Sequence, residues 1–130
     1  MKTLFLSLIL TLIFGSAMTA EAQTTQQITL LAGKEKTATR SKLKIKFVSV
    51  EDSRCPQGVD CIWAGNAKVT IKVTNRKGES KTFDLNTNLE TKAVKFDGYE
   101  IKLGSVTPYP KANVPNNANG YTASFTVTKL

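Results

Sequence analysis

Alternating apolar and polar residues mark several strands along the chain. Residues 67–74 alternate Ala, Val, Ile and Val with Lys and Thr, and residues 121–128 repeat the pattern with Thr and Ser. Alternation of this kind is typical of a strand with one buried face. Residues 43–50 begin in the same way, but Val48 and Val50 break the alternation. That strand is therefore predicted either to bulge or to be covered on both faces.

Turn-forming residues separate these runs. Residues 75–79 predict a hairpin loop, and Asp97-Gly98 between two alternating runs predicts a two-residue hairpin because both residues tolerate a positive φ. Residues 108–120 contain three of the four prolines and should form a long loop. Residues 34–41, charged and rich in Thr, predict another loop, and residues 28–31 a short first strand.

The fold class follows from the number and spacing of these runs. About seven short strands and no sustained helical period predict an all-β protein. We expect a single small antiparallel β-sandwich, Ig-like or barrel-like, spanning residues 23–130.

The N-terminus has the pattern of a secretory signal peptide. One lysine precedes the apolar residues 4–14, which are too few to cross a bilayer core that needs about 20. Ala20 and Ala22 provide the small side chains that a signal peptidase requires, so residues 1–22 should be removed before Gln23. We expect a soluble periplasmic or extracellular monomer with no membrane anchor.

The composition narrows the possible chemistry. The chain contains no His, and its two Met residues are Met1 and Met18, both within the predicted signal peptide. The exported part therefore lacks the imidazole and thioether ligands that usually hold copper, haem or catalytic zinc, and the usual general base of hydrolases. We expect no cofactor, no metal and no enzymatic activity, with a small His-free enzyme as the less favoured alternative.

The formal charge of +8 permits two interpretations. A basic protein attracts polyanions. Lysines that alternate with apolar residues also keep a sheet soluble and discourage edge pairing. No block of five or six like charges is present, so solubility is the favoured interpretation and specific nucleic-acid binding is not expected.

The only two cysteines, Cys55 and Cys61, lie six residues apart. In an exported protein they can pair in only one way, which predicts a local structural disulfide. A redox pair would more often have Cys-x-x-Cys spacing at the start of a helix.

Residues 52–65 resemble a signature of small exported bacterial proteins, many of them uncharacterised. The matching positions are Asp52-Ser53-Arg54-Cys55-Pro56, Gly58-Val59, Cys61 and Trp63-Ala64-Gly65. The resemblance implies export, a compact β fold and the local disulfide. It does not indicate any particular activity.

The same segment contains the candidate site residues. Arg54 could pair with Asp52 and with Asp60 if the disulfide loop folds back, because a guanidinium binds a carboxylate through two parallel hydrogen bonds. Trp63 could pack on the disulfide or seal one end of the sandwich. Tyr109, between two prolines, could bind a ligand or plug that end. Arg54 and Trp63 either hold the loop together or form a ligand-binding pair, and we favour the structural role.

These observations favour a non-enzymatic binding or interaction module that uses loops at one end of a rigid sandwich. Residues 55–65 and 108–120 are the candidate surfaces. The partner could be a protein or a cell-envelope polymer. The alternative is a basic surface that binds polyanions.

Overall fold

The computed structural model describes Gly15 and residues 24–130. The predicted signal peptide and its cleavage site lie outside the described residues, apart from Gly15. The regular secondary structure of the described part consists of strands, with one short 3-10 turn at Ala118–Gly120. The strands are β1 (Thr25–Leu31), β2 (Glu35–Thr37), β3 (Lys44–Asp52), β4 (Ala67–Thr74), β5 (Ser80–Asn86), β6 (Ala93–Phe96), β7 (Tyr99–Thr107) and β8 (Thr122–Lys129).

These strands form two antiparallel sheets of four, which confirms the predicted antiparallel β-sandwich. One sheet has the order β1-β8-β7-β6 and the other has the order β2-β3-β4-β5. Their apolar faces pack together, and the rings of Phe47 and Phe125 meet edge to face with centroids 6.4 Å apart. Apart from Tyr121, the remaining core is aliphatic and comes mainly from the alternating positions of both sheets, including Ile45, Val69, Ile71, Val73, Leu85, Ile101, Leu103 and Val127. The apolar positions of each alternating run therefore form the buried face of its strand.

Most of the predicted strand ends and turns are confirmed. Residues 75–79 connect β4 to β5. Asp97 and Gly98 both have positive φ, 51° and 79°, in the two-residue turn between β6 and β7. The register of β3 on β4 shifts between Phe47 and Ser49, which is the predicted bulge.

Two boundaries differ from the prediction. Residues 35–37 form strand β2 rather than a loop, because they pair with Lys44–Lys46 at the edge of a sheet. Strand β1 begins at Thr25, three residues before the predicted start, since its polar residues pair along β8. Strand pairing supplies backbone hydrogen bonds that the side-chain pattern of a short edge segment does not reveal.

Cys55 and Cys61 form the predicted disulfide, with Cα atoms 5.9 Å apart. Structural disulfides persist in oxidising compartments, so the bridge indicates a non-cytosolic protein. No helix within the described residues is long and apolar enough to span a bilayer.

Candidate functional site

The β3–β4 connection continues the strand ladder beyond the sheet. Ser53 donates its backbone N–H to the Asn66 carbonyl, and Cys55 donates to the Ala64 carbonyl, both at 2.8 Å. The Cys55–Cys61 bridge then closes the tip. The tip is thus mounted on a hydrogen-bonded base and is not a free loop.

Gly65 permits the tight return of the chain to β4. Its φ is +76°, and a Cβ at this position would lie 2.6 Å from the Arg54 Cα and closer still to the Ser53 carbonyl. Only glycine fits both the conformation and the space.

The two loops proposed from sequence as separate surfaces are joined by backbone hydrogen bonds. Gln57 donates its N–H to the Pro110 carbonyl at 2.9 Å, and its own carbonyl accepts from Ala112 at 3.2 Å. The disulfide loop and the proline-rich loop therefore form one continuous surface.

A buried ion pair lies beneath this surface. The Arg54 Nε donates to Asp52 Oδ1 at 2.8 Å, and Nη2 donates to Asp52 Oδ2 at 2.9 Å, a bidentate arrangement. The side chains are only 5% and 3% exposed. The guanidinium also donates to the carbonyls of Val106 and Pro108, at 2.7 and 2.9 Å. Arg54 thus links the end of β3 to the end of β7 and the proline-rich loop.

Tyr121 completes the set of hydrogen bonds to the Asp52 carboxylate. Its hydroxyl donates to Oδ2 at 2.8 Å, and the Arg54 backbone N–H donates to Oδ1 at 3.2 Å. Burial alone would raise the pKa of Asp52, but the hydrogen bonds from Arg54 and Tyr121 outweigh it, so that pKa lies below its ordinary value. Burial and the bond to Asp52 raise the pKa of Tyr121 to about 12. Hydrogen bonding to Asp52 raises the pKa of Arg54 against the opposing effect of burial.

Tyr109 covers the ion pair from outside. The Arg54 Cζ lies 4.5 Å from the centroid of the Tyr109 ring, which is 39% exposed. The tyrosine therefore neither plugs the core nor stands free. It forms a cation–π lid on a buried charge.

Asn66 attaches a third loop, between β5 and β6. Its side-chain carbonyl accepts from the backbone N–H of Asn88 at 3.0 Å and of Leu89 at 3.3 Å. Its amide donates to Asn86 Oδ1 at 2.9 Å. This buried asparagine fixes the β5–β6 loop against the β3–β4 connection.

The loops that these contacts hold in place expose apolar side chains. Val59, inside the ring that the disulfide closes, is 46% exposed. Directly after Cys61, Ile62 is fully exposed and Trp63 is 55% exposed. Val114 of the proline-rich loop is 56% exposed. Exposed apolar residues are common when scattered, but neighbours on one rigid projection mark interaction sites.

The charges at this end balance. We define the loop end as residues 51–68, 86–92 and 108–121. It contains four basic residues and four acidic residues, namely Arg54, Lys68, Lys92 and Lys111 against Glu51, Asp52, Asp60 and Glu90. The chain's formal charge of +8 therefore lies elsewhere.

One predicted contact is not formed. Within residues 24–130, the ion-pair partner of Arg54 is Asp52, and Asp60 is exposed on the disulfide loop. The pairing with Asp60 that the sequence allowed if the loop folds back is not formed, because the bridged loop projects into solvent. Trp63 does not seal the sandwich either, since more than half of it is exposed.

Sequence reasoning missed two residues that matter here. Tyr121 was predicted only as a strand residue, and Asn66 was not singled out at all. A tyrosine in place of an aliphatic residue at the start of β8 was the available signal, because a buried hydroxyl needs a partner. Asn66 gave no comparable signal, since its partners lie 20 or more residues away.

The groups with shifted pKa values form one hydrogen-bonded cluster. The described groups with shifted pKa values are Asp52, Arg54 and Tyr121, and both Arg54 and Tyr121 donate hydrogen bonds to the Asp52 carboxylate. In the described part of the chain, no three His, Cys, Asp or Glu side chains gather as a metal site. The ion pair therefore acts as a support for the exposed loops.

Comparisons with known proteins add no relative. No protein-family model matches the chain, and neither a curated protein nor a solved structure does. The resemblance of residues 52–65 to small exported bacterial proteins stays a prediction.

Proposed function

We propose that this chain is an exported, non-enzymatic binding module that presents the loop end to a protein partner with an apolar cleft. The observation that carries the proposal is the exposure of Ile62 and Trp63 on a loop with a hydrogen-bonded, disulfide-closed tip. A loop already held in one conformation loses less entropy on binding than a mobile one.

The character of the surface supports a protein partner. Tryptophan and tyrosine are enriched at protein interfaces, and Trp63 and Tyr109 both lie here. Half of the charges at the loop end, Arg54 with Asp52 and Lys68 with Glu51, already form ion pairs, which lowers the cost of covering this end with a partner. A partner recognised mainly by charge would fit this end poorly.

The fold does not require the exposed side chains. Ile62 lies outside the core, and its accessibility is that of an isolated side chain. We therefore expect Ile62→Ser to melt as the parent does while binding is lost. Trp63→Ser should also lose binding, with some loss of stability because nearly half of this side chain is buried. This pattern separates an interaction role from a structural one.

Photo-crosslinking in the producing cells tests the proposal. A photoreactive phenylalanine analogue replaces Ile62 in one variant and the outward-facing Thr126 of β8 in the control. We expect a discrete protein adduct from position 62 that excess parent protein suppresses and excess Trp63→Ser does not. Adducts of equal yield from both positions, or none from position 62, would contradict the proposal.

A lipid partner is a separate outcome. Trp63 is the only tryptophan, so the intrinsic emission of the protein reports on this loop alone. A blue shift on adding phospholipid vesicles would indicate insertion into a bilayer and would overturn the assignment of a protein partner.

A further inference from the structure

A second surface lies at the other end of the sandwich, where β3 begins and β4 ends. Exposed lysines and arginines gather on these two strands and on the turns beside them. We define the basic surface as Lys42, Lys44, Lys46, Lys72, Arg76 and Lys77, all of them exposed. It carries much of the positive charge that the loop end lacks.

The register places two of these lysines directly opposite each other. Lys46 of β3 pairs in register with Lys72 of β4, and both side chains point outward. Like charges in directly opposed positions destabilise a sheet. The same two strands show the stabilising alternative at the loop end, where Glu51 is opposite Lys68 and forms an ion pair of 3.1 Å.

Three carboxylates lie near the basic surface without neutralising it. Glu35 of β2 lies opposite Lys46 of β3, Glu79 lies in the β4–β5 turn, and Asp84 accepts a hydrogen bond from Thr70. Within residues 24–130, ion pairs shorter than 4 Å join only Arg54 to Asp52 and Lys68 to Glu51. Six cations thus outnumber three carboxylates.

Protection of sheet edges does not account for this arrangement. Lysines on an edge strand discourage pairing with another chain. However, β3 and β4 are the two central strands of the order β2-β3-β4-β5. Lys46 and Lys72 therefore do not serve to protect an edge.

We propose that the basic surface binds a linear anionic polysaccharide, a function beyond the loop end and independent of it. Lys44 and Lys46 are two residues apart on one strand, which corresponds to about 7 Å. Neighbouring strands add a second row of ammonium groups about 5 Å away. Cations repeated at this interval suit a polymer with an anionic group on successive sugars.

The location of the aromatic residues favours a polysaccharide over single-stranded nucleic acid. Proteins that bind single strands combine a basic groove with rings on which bases stack. Among the described residues, the large aromatic side chains with substantial exposure are Trp63 and Tyr109, and both lie at the loop end. The basic surface offers charge without a stacking platform.

Binding of the purified protein to heparin, a sulfated polysaccharide, tests the proposal. The test variant is Lys46→Glu/Lys72→Glu, and the control is Lys95→Glu/Lys102→Glu on the opposite sheet, which changes the net charge equally. At about 0.1 M salt we expect the test variant to bind at least about tenfold more weakly and the control to lose far less. Binding by the parent should fall steeply as salt rises.

Three results would overturn the proposal. The first is absence of heparin binding by the parent at this salt concentration. The second is an equal loss in the test and control variants, which would show that net charge alone matters. The third is binding to single-stranded or duplex DNA at least as tight as binding to heparin.

Two single substitutions serve as controls, one for stability and one for the loop end. Lys72→Glu should bind heparin more weakly while melting no lower than the parent, because it converts a like-charge pair into an opposite-charge pair. Ile62→Ser should leave heparin binding unchanged. A failure of either proposed surface is thereby distinguishable from a failure of the other.

Discussion

The two ends of this sandwich differ in how their charged side chains are placed. The loop end contains a buried ion pair, a disulfide and equal numbers of basic and acidic residues. The opposite end carries the basic surface, whose cations lie on regular strands and short turns. Among the described residues, Lys46 and Lys72 lie opposite each other and neither forms an ion pair. At the loop end the charges support the backbone, whereas at the basic end they remain available to a ligand.

The difference shows why the local partner of a charge matters more than net charge. Arg54 has the same formal charge as Arg76, yet one is 6% exposed with four side-chain hydrogen bonds and the other is exposed in a turn. Removing the first should damage the fold, and removing the second should not. Four predictions test this contrast, in order of decreasing effect.

The largest effect is expected from Arg54→Ala. The change leaves the buried Asp52 carboxylate without its bidentate partner and two backbone carbonyls without a donor. We expect a loss of about 3 to 5 kcal/mol in unfolding free energy, measured by denaturant titration. Arg76→Ala is the control at the basic end and should melt as the parent does.

A double-mutant cycle identifies the partner of Arg54. Asp52→Ala should be strongly non-additive with Arg54→Ala, whereas Asp60→Ala should have no effect in either background. Because the pKa of Asp52 is lowered in the folded state, its contribution is present above the ordinary carboxyl pKa and is lost as pH falls through the lower folded value. An Arg54→Ala protein as stable as the parent would contradict the structural role.

The next effect is expected from removing the disulfide. Replacing Cys55 and Cys61 by Ala should lower stability by about 2 kcal/mol, since the bridge closes a short loop. Circular dichroism should still show a β-rich fold, because the bridge lies outside the core. Unchanged stability would mean that the backbone bonds of Ser53 and Cys55 suffice to hold the loop.

An effect of similar size is expected from Tyr121→Phe, which removes one hydrogen bond to a charged group and costs about 1.5 to 3 kcal/mol. The pKa of Tyr121 rises from 10.0 to about 12 on folding. Its stabilisation is therefore complete below pH 10 and is lost as pH rises towards 12. Thermal melts across this range should show a shallower alkaline decline in Tyr121→Phe than in the parent and in Tyr99→Phe, a control at the other end.

The smallest effect on stability is expected at the basic end. Lys72→Glu should keep or slightly raise the melting temperature, because Lys46 gains an opposite charge across the strand pair. A clear loss of stability would show that the two lysines have a structural role. It would then remove the contrast between the two ends.

Some elements of this molecule were predictable because the signal is local. Val69, Ile71 and Val73 alternate with polar residues and are fully buried, and the hairpin at Asp97-Gly98 depends on the backbone freedom of two adjacent residues. Strand β2 was missed because three exposed polar residues carry no pattern of their own. Its existence depends on pairing with β3.

For the candidate site the same division holds. The pairing of Arg54 with Asp52 was predictable because the two residues are only two positions apart in the sequence. The contacts of Arg54 with Val106 and Pro108 span 52 and 54 residues, and that of Asp52 with Tyr121 spans 69. Such contacts depend on which strands become neighbours.

By itself, the sequence determined the all-β class, the core faces, the turns and the one possible disulfide, because each depends on residues close together in the chain. Only the tertiary structure decided which charges are buried and which are free. Asp60 is as close to Cys61 in sequence as Arg54 is to Cys55, yet one faces solvent and the other lies beneath Tyr109. The physical reason is that burial and hydrogen bonding are set by the packing of distant strands, which brought two loops together at one end and left Lys46 facing Lys72 near the other.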